Sequence, residues 1–261
     1  MRILLTNDDG IYAPGLRALR QELMTLGEVF TVAPATEQSA TGHSVTLMTP
    51  LLIQQVFDDD RNLIGFAVEG RPADCVKLAL LELLPWKPDL IVSGMNAGSN
   101  AGINVLYSGT VAAAIEGAFY HHPSIAVSLE YTKLKPLNFP KAATYAISII
   151  RQILETPVGP GSLFNINIPS LEKGPIVGVK VVPQNITAYT ERFDRRVDPR
   201  GRTYFWAGGD LDCPDPHAET DVTALAESYI TITPLQYDLT AHAKLAALRQ
   251  REWHLERKEP S

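Results

Sequence analysis

Two adjacent carboxylates carry the most conspicuous chemistry in this chain. Asn7-Asp8-Asp9-Gly10 follows directly on the apolar run RILLT at 2–6. Anionic groups held side by side repel unless one is protonated or a cation lies between them. Hard divalent ions prefer oxygen ligands, so Mg2+ or Mn2+ is the natural partner. A turn in which Asp8 caps the following helix accounts for the same residues, because acidic side chains favour a helix N-terminus. On this segment alone the two readings weigh the same.

Two further segments have the right composition to join it. Ser39 lies in Gln38-Ser39-Ala40-Thr41-Gly42-His43-Ser44, where a hydroxyl could ligate a metal or meet a phosphate. Taken singly, these are ordinary loop residues, and His43 is a loop histidine that could donate a proton beside a phosphate. Ser93-Gly94-Met95-Asn96-Ala97-Gly98-Ser99-Asn100-Ala101-Gly102 is rich in Gly and Asn and runs on to Tyr107-Ser108-Gly109-Thr110. Glycines let backbone approach a ligand, Asn96 offers a neutral oxygen, and a helix beginning at Ser108–Thr110 offers N–H groups to an anion. A dinucleotide fingerprint is excluded, since no G-x-G-x-x-G follows the first apolar run.

The elements that must position these residues follow from periodicity. Residues 2–6, 28–33, 89–93, 124–129 and 162–168 read as short buried strands, with extended segments near 46–56 and 63–68. Helical spacing or helix-start signals mark 15–26, 72–84, a segment from about 109, and 140–155. Alternating strands and helices predict an α/β fold with a mainly parallel sheet. In such a sheet, ligands bind beyond the C-terminal strand ends, where Asp8, Ser39 and Asn96 all fall. That convergence favours one metal–phosphate site over three coincidental loops. Beyond 176 the pattern changes. Aromatics at Tyr189, Phe193, Tyr204, Phe205 and Trp206 predict a protruding hairpin arm and loop over 176–219, followed by a strand at 229–233 and a C-terminal helix at 240–257. The economical reading is one domain over 1–261.

The 261 residues are 45% hydrophobic and 20% charged, an ordinary composition for a globular protein. The net charge of -6 argues against binding nucleic-acid polymers through a broad positive field. Cys75 and Cys213 have no metal-knuckle spacing and fit a reducing compartment. The start carries no secretory pattern, and no apolar run reaches the roughly 18 residues of a membrane span. A cytoplasmic protein without membrane contact is expected.

Together, LLTNDDG, the Ser39 loop, VSGMNAGSNAG, YSGTVAAAIEG and YITITPLQYDLT resemble the SurE family (survival protein E, a 5'/3'-nucleotidase) over most of the chain. The resemblance implies a Rossmann-like three-layer fold and an oligomer, homodimer or homotetramer, that exchanges C-terminal β elements. It implies one divalent ion per subunit, Mg2+ or Mn2+ with Ca2+ admitted, held by Asp8, Asp9, Ser39 and Asn96. Hydrolysis of nucleoside monophosphates is implied too, and short polyphosphate is a further candidate substrate. Asp8 and Asp9 would be catalytic as well as ligating, and Ser108, Gly109, Thr110 and His43 would contact substrate. Direct attack by water and a covalent aspartyl-phosphate both stay open. Gly10 stands where the covalent route usually has an acid, which favours water. Two rival classes remain: a nucleotide-sugar glycosyltransferase, which usually needs D-x-D spacing absent here, and a non-catalytic nucleotide or phosphate sensor.

Overall fold

The computed structural model describes residues 1–131, 136–187, 190–210 and 219–255. Its centre is β1 (Arg2–Thr6), whose alternating side chains serve two faces. Ile3 and Leu5 pack with one set of apolar residues and Leu4 with another, all three fully buried. On the first face lie α1 (Pro14–Leu23) and α4 (Phe139–Leu154). On the second lie α2 (Pro72–Leu78) and α3 (Gly109–Phe119), with Cys75 and Ala113 against Leu4. Each helix has a chemical reason to start where it does. Prolines in the first turn suit α1, α2 and α4, and Ser108 accepts the Val111 N–H to cap α3.

Among the described residues the main sheet has nine strands. β2 (Glu28–Pro34) and β5 (Leu90–Ala97) flank β1, and both run parallel to it. Outward from β2 come β4 (Leu63–Val68), parallel, and β3 (Ile53–Phe57), antiparallel. Outward from β5 come β6 (Ser124–Leu129) and β7 (Leu163–Ile168), both parallel. The far edge is β11 (Tyr229–Pro234), antiparallel to β7, and β8 (Gly178–Val181), parallel to β11. The chain winds from β1 towards β2 and β4, then returns to the opposite side of β1 with β5. A crevice opens at such a reversal, between the ends of β1 and β5. Among the described residues no helix is long and apolar enough to cross a membrane.

The expected α/β architecture is therefore observed, with local corrections. The predicted arm over 176–219 begins later. Gly178–Val181 pairs with β11 and belongs to the main sheet, because alternation identifies a strand without naming its neighbour. The hairpin itself is β9 (Thr190–Val197) and β10 (Thr203–Asp210), a separate antiparallel pair exposing Phe193, Phe205 and Trp206. The helix expected over 72–84 leaves α geometry after Leu78 and ends in a π turn at Ala79–Leu83. The C-terminal helix is shorter than 240–257, spanning α6 (His242–Arg249). The six-residue α5 (Asp221–Ala226) is too short for periodicity to reveal. Tyr189 and Cys213 lie outside the described residues.

One helix position tests how tightly the layers are set. Gly15 lies inside α1, and a Cβ there would stand 2.1 Å from the Met95 carbonyl oxygen of β5. Gly→Ala in a helix normally gains about 1 kcal/mol, but here the backbone oxygen cannot yield. Gly15→Ala should lower the urea midpoint, and a raised midpoint would show that the packing is looser than described.

Candidate functional site

The residues beyond β1, β2 and β5 form one cavity of about 360 Å³, lined by Asp8, Asp9, Glu37, Ser39, Ala40, Asn96, Ala97, Ser99, Asn100, Asn104, Tyr107 and Ser108. All four side chains expected to hold a metal line it. The Asn7 side chain shapes the first loop by donating to the Gly10 carbonyl at 2.9 Å. Gly10 itself adopts a φ of +101°, open to glycine at little cost. Three bonds tie the loops to one another. Gln38 N–H donates to the Asp8 carbonyl at 2.8 Å, Ala97 N–H to Asp9 Oδ2 at 3.0 Å, and Gly42 N–H to the Tyr107 carbonyl at 3.0 Å.

Asp8 is buried, and the Thr110 hydroxyl donates to its Oδ1. The start of α3 presses against it from behind, since a Cβ on Gly109 would lie 2.8 Å from the Asp8 Cβ. Any larger residue at 109 would push the carboxylate or the helix aside. The positive end of the α3 dipole therefore faces this corner of the cavity.

Burial raises the Asp8 carboxyl pKa to about 6; the Thr110 hydrogen bond pulls it down and the neighbouring Asp9 charge pushes it up. Asp9 is also raised, again by burial first, with Glu37 adding to the effect and the Ala97 N–H opposing it. Among the described residues, no Lys, Arg or His lines the cavity. Among the described residues the acidic pair thus has no side-chain cation in the cavity wall, which is the condition that favours an external one.

Asn96 reaches the cavity through an irregularity in β5. Ser93 pairs with Ala126 and Asn96 with Ser128, so two residues stand opposite one. Such a bulge re-aims the side chains that follow it. Gly94 makes it feasible, with a φ of +137° and no room for a Cβ, which would lie 2.2 Å from the Val127 oxygen. The Asn96 amide nitrogen donates to the Gly98 carbonyl at 2.7 Å, so its oxygen is the atom that a cation could meet. Ser39 Oγ donates to Glu37 Oε1 at 2.5 Å.

Beyond Asn96 the loop is held from beneath. Asn100 N–H donates to Asn167 Oδ1 at 2.7 Å, its side chain donates to Ser128 Oγ at 2.8 Å, and its carbonyl accepts from Asn165 at 2.7 Å. Asp221 of α5 accepts from the Gly102 N–H and the Asn185 N–H, both at 2.8 Å.

Of the residues expected to meet substrate, Ser108 lines the cavity. Thr110 is fully buried and spends its hydroxyl on Asp8. Gly109 is the contact point behind Asp8. His43 lines a second, apolar cavity next door. Sequence reasoning overlooked Glu37, Ser99 and Asn104. Glu37 had a usable signal in standing two residues from Ser39 on the same short loop. Among the described residues, no three His, Cys, Asp or Glu side chains cluster as a metal site would require of them alone. The oxygen set here is two carboxylates, a hydroxyl and an amide, which suits a hard divalent ion.

The family model described as Survival protein SurE matches residues 3–191. The 5'-nucleotidase SurE of Rhodopirellula baltica is 51% identical over 256 residues, covering 98% of this chain and 99% of that one. That of Trichodesmium erythraeum is 44% identical over 265 residues, covering 96% and 97%. The crystal structure of the SurE protein from Aquifex aeolicus matches with a TM-score of 0.82 at 36% identity, covering 95% of this chain and 98% of that chain. With a family model spanning most of its length and relatives aligned almost end to end, the chain belongs to the SurE family.

Proposed function

We propose that this protein is a metal-dependent 5'-nucleotidase that hydrolyses nucleoside monophosphates to nucleoside and phosphate. The observation that carries the reading is an acidic cavity, lined by no basic side chain among the described residues, that gathers oxygens from three strand ends beside the start of α3. Relatives that match this chain along nearly their full length carry the name 5'-nucleotidase.

Asp8, Asp9, Ser39 and Asn96 would hold one divalent ion, Mg2+ or Mn2+, with Ca2+ also compatible with an all-oxygen set. When bound, that ion supplies positive charge to a phosphoryl oxygen and acidifies water. The chain's own groups do the rest. Thr110 and Gly109 fix the Asp8 carboxylate, and the Ala97 N–H fixes Asp9. Ser108 and the first N–H groups of α3 face the transferring phosphoryl group, where fixed dipoles stabilise developing charge. Asp9 orients the attacking water. Thr110 acts through Asp8 instead of touching substrate with its hydroxyl. The enzyme works in the cytoplasm on free mononucleotides, without a nucleic-acid or membrane partner, and as a homodimer or homotetramer. The exposed aromatics of the β9–β10 hairpin support the oligomer, since an isolated two-stranded hairpin is marginal alone.

Phosphate release from AMP with Mn2+ tests the activity and separates an enzyme from a sensor. Asp9→Asn should lower it by more than about 100-fold, and EDTA should abolish it, while the metal-free melting temperature holds or rises. Release that survives both changes would remove the proposal.

The carboxyl pair also predicts a pH-dependent response to metal. Asp8 binds its proton more tightly folded, near pH 6, than unfolded, near pH 4. The metal-free fold therefore loses stability as pH rises through that window, and cation binding no longer competes with a proton above it. At a hundredfold excess over Kd, Mn2+ should raise the melting temperature by roughly 5 °C or more at pH 7.5, and by much less at pH 5. Equal increments at both values would contradict this. Light scattering after size exclusion should return a dimer or tetramer mass, and a monomer at micromolar concentration would refute the assembly.

A further inference from the structure

The acidic cavity has an apolar neighbour of about 250 Å³. One turn of chain separates the two. Asn104 and Tyr107 face the acidic side, Val105 and Leu106 face the apolar side, and Ser108 lines both. The second cavity holds an aromatic group. His43 and Phe119 stack with ring centroids 5.3 Å apart and planes 22° apart, and Tyr237 meets Phe119 edge-on at 4.6 Å. Gln184 and Gln236 add amides to a lining that is otherwise largely apolar.

The His43 ring is not loose packing. Its Nε2 donates to Glu116 Oε2 at 2.7 Å, and Lys77 Nζ lies 3.9 Å from the other Glu116 oxygen. Glu116 is only 5% exposed. Burying a carboxylate is costly unless it is paired. This one is spent on setting the plane of a ring in a cavity wall, and apolar packing alone would not require that.

We propose that this cavity is the subsite for the heterocyclic base of a mononucleotide whose phosphate sits at Ser108. The base lies against the His43–Phe119–Tyr237 group, and the Gln184 and Gln236 amides meet its polar edge. The proposal rests on the phosphatase reading and adds a location and an energy source for choosing nucleotides over other phosphomonoesters. Aromatic platforms accept every base because each has a π face, so the subsite favours nucleotides as a class more strongly than any one base.

The test compares kcat/KM, with Mn2+, for AMP and for ribose 5-phosphate, which has the same phosphate and sugar without the base. Wild type should prefer AMP by at least about tenfold. Stacking on an aromatic contributes about 1–3 kcal/mol per base. The preference should therefore shrink about tenfold in Phe119→Ala and again in Tyr237→Leu. Both side chains are more than a third exposed, so these changes do not open the core. Phosphate release from neither substrate by wild type removes the phosphatase reading, and this proposal with it. Release from ribose 5-phosphate as fast as from AMP overturns the subsite alone. So does an AMP preference within twofold of wild type in both variants. If that unchanged preference comes with an altered mass by light scattering, the cavity is instead a contact between copies of this chain.

Discussion

The constraint on which this structure depends is the burial of the Asp8 carboxylate at the end of a central strand, against the start of α3. β1 is buried on both faces, so whatever follows it emerges at the deepest point of the crevice. A charge there needs fixed partners. Thr110 supplies a hydroxyl, α3 its positive end, and Gly109 the space for both to come close. What remains uncompensated faces the cavity. The same burial that makes the carboxyl pair unfavourable by itself is what the proposed cation would relieve.

Around that point, precision comes from neutral groups. Asparagines at 7, 96, 100, 165 and 167 and the serine at 128 form short bonds that hold the loops without adding charge. Amides donate and accept together, so a few of them can close both ends of a turn. The acidic residues Asp8, Asp9 and Glu37 are left to line the cavity. The division extends to the two cavities: one is acidic and the other aromatic, with a single turn between them and Ser108 common to both. A molecule with an anionic end and a flat apolar end matches that layout.

Much of this was legible from sequence because it depends on local pattern. Five buried runs alternating with helical segments specify an α/β sheet, and carboxylates, Ser39 and Asn96 placed just after strands then converge. The role of Thr110 was not legible. It resembles an anion-binding hydroxyl, yet its partner lies 102 residues earlier, and only the packing of α3 on β1 brings the two together. The surroundings of His43 were not legible for a similar reason, since nothing in its loop indicates that Glu116 will turn it towards an apolar cavity. Gly178–Val181 was assigned to the arm because a four-residue strand does not announce its neighbour. The bulge that aims Asn96 was hinted at only by Gly94.

Asp221 gives the architecture a temporal side. It stands 119 residues beyond Gly102, and its two oxygens join the loop after β5 to the Asn185 N–H. A chain emerging from the ribosome can pair β1, β2, β4 and β5 early, but this tether is missing until nearly the whole polypeptide has been made. The crevice is thus completed late in synthesis. Fragments that end before residue 221 would hold the carboxylates without this tether on the loop.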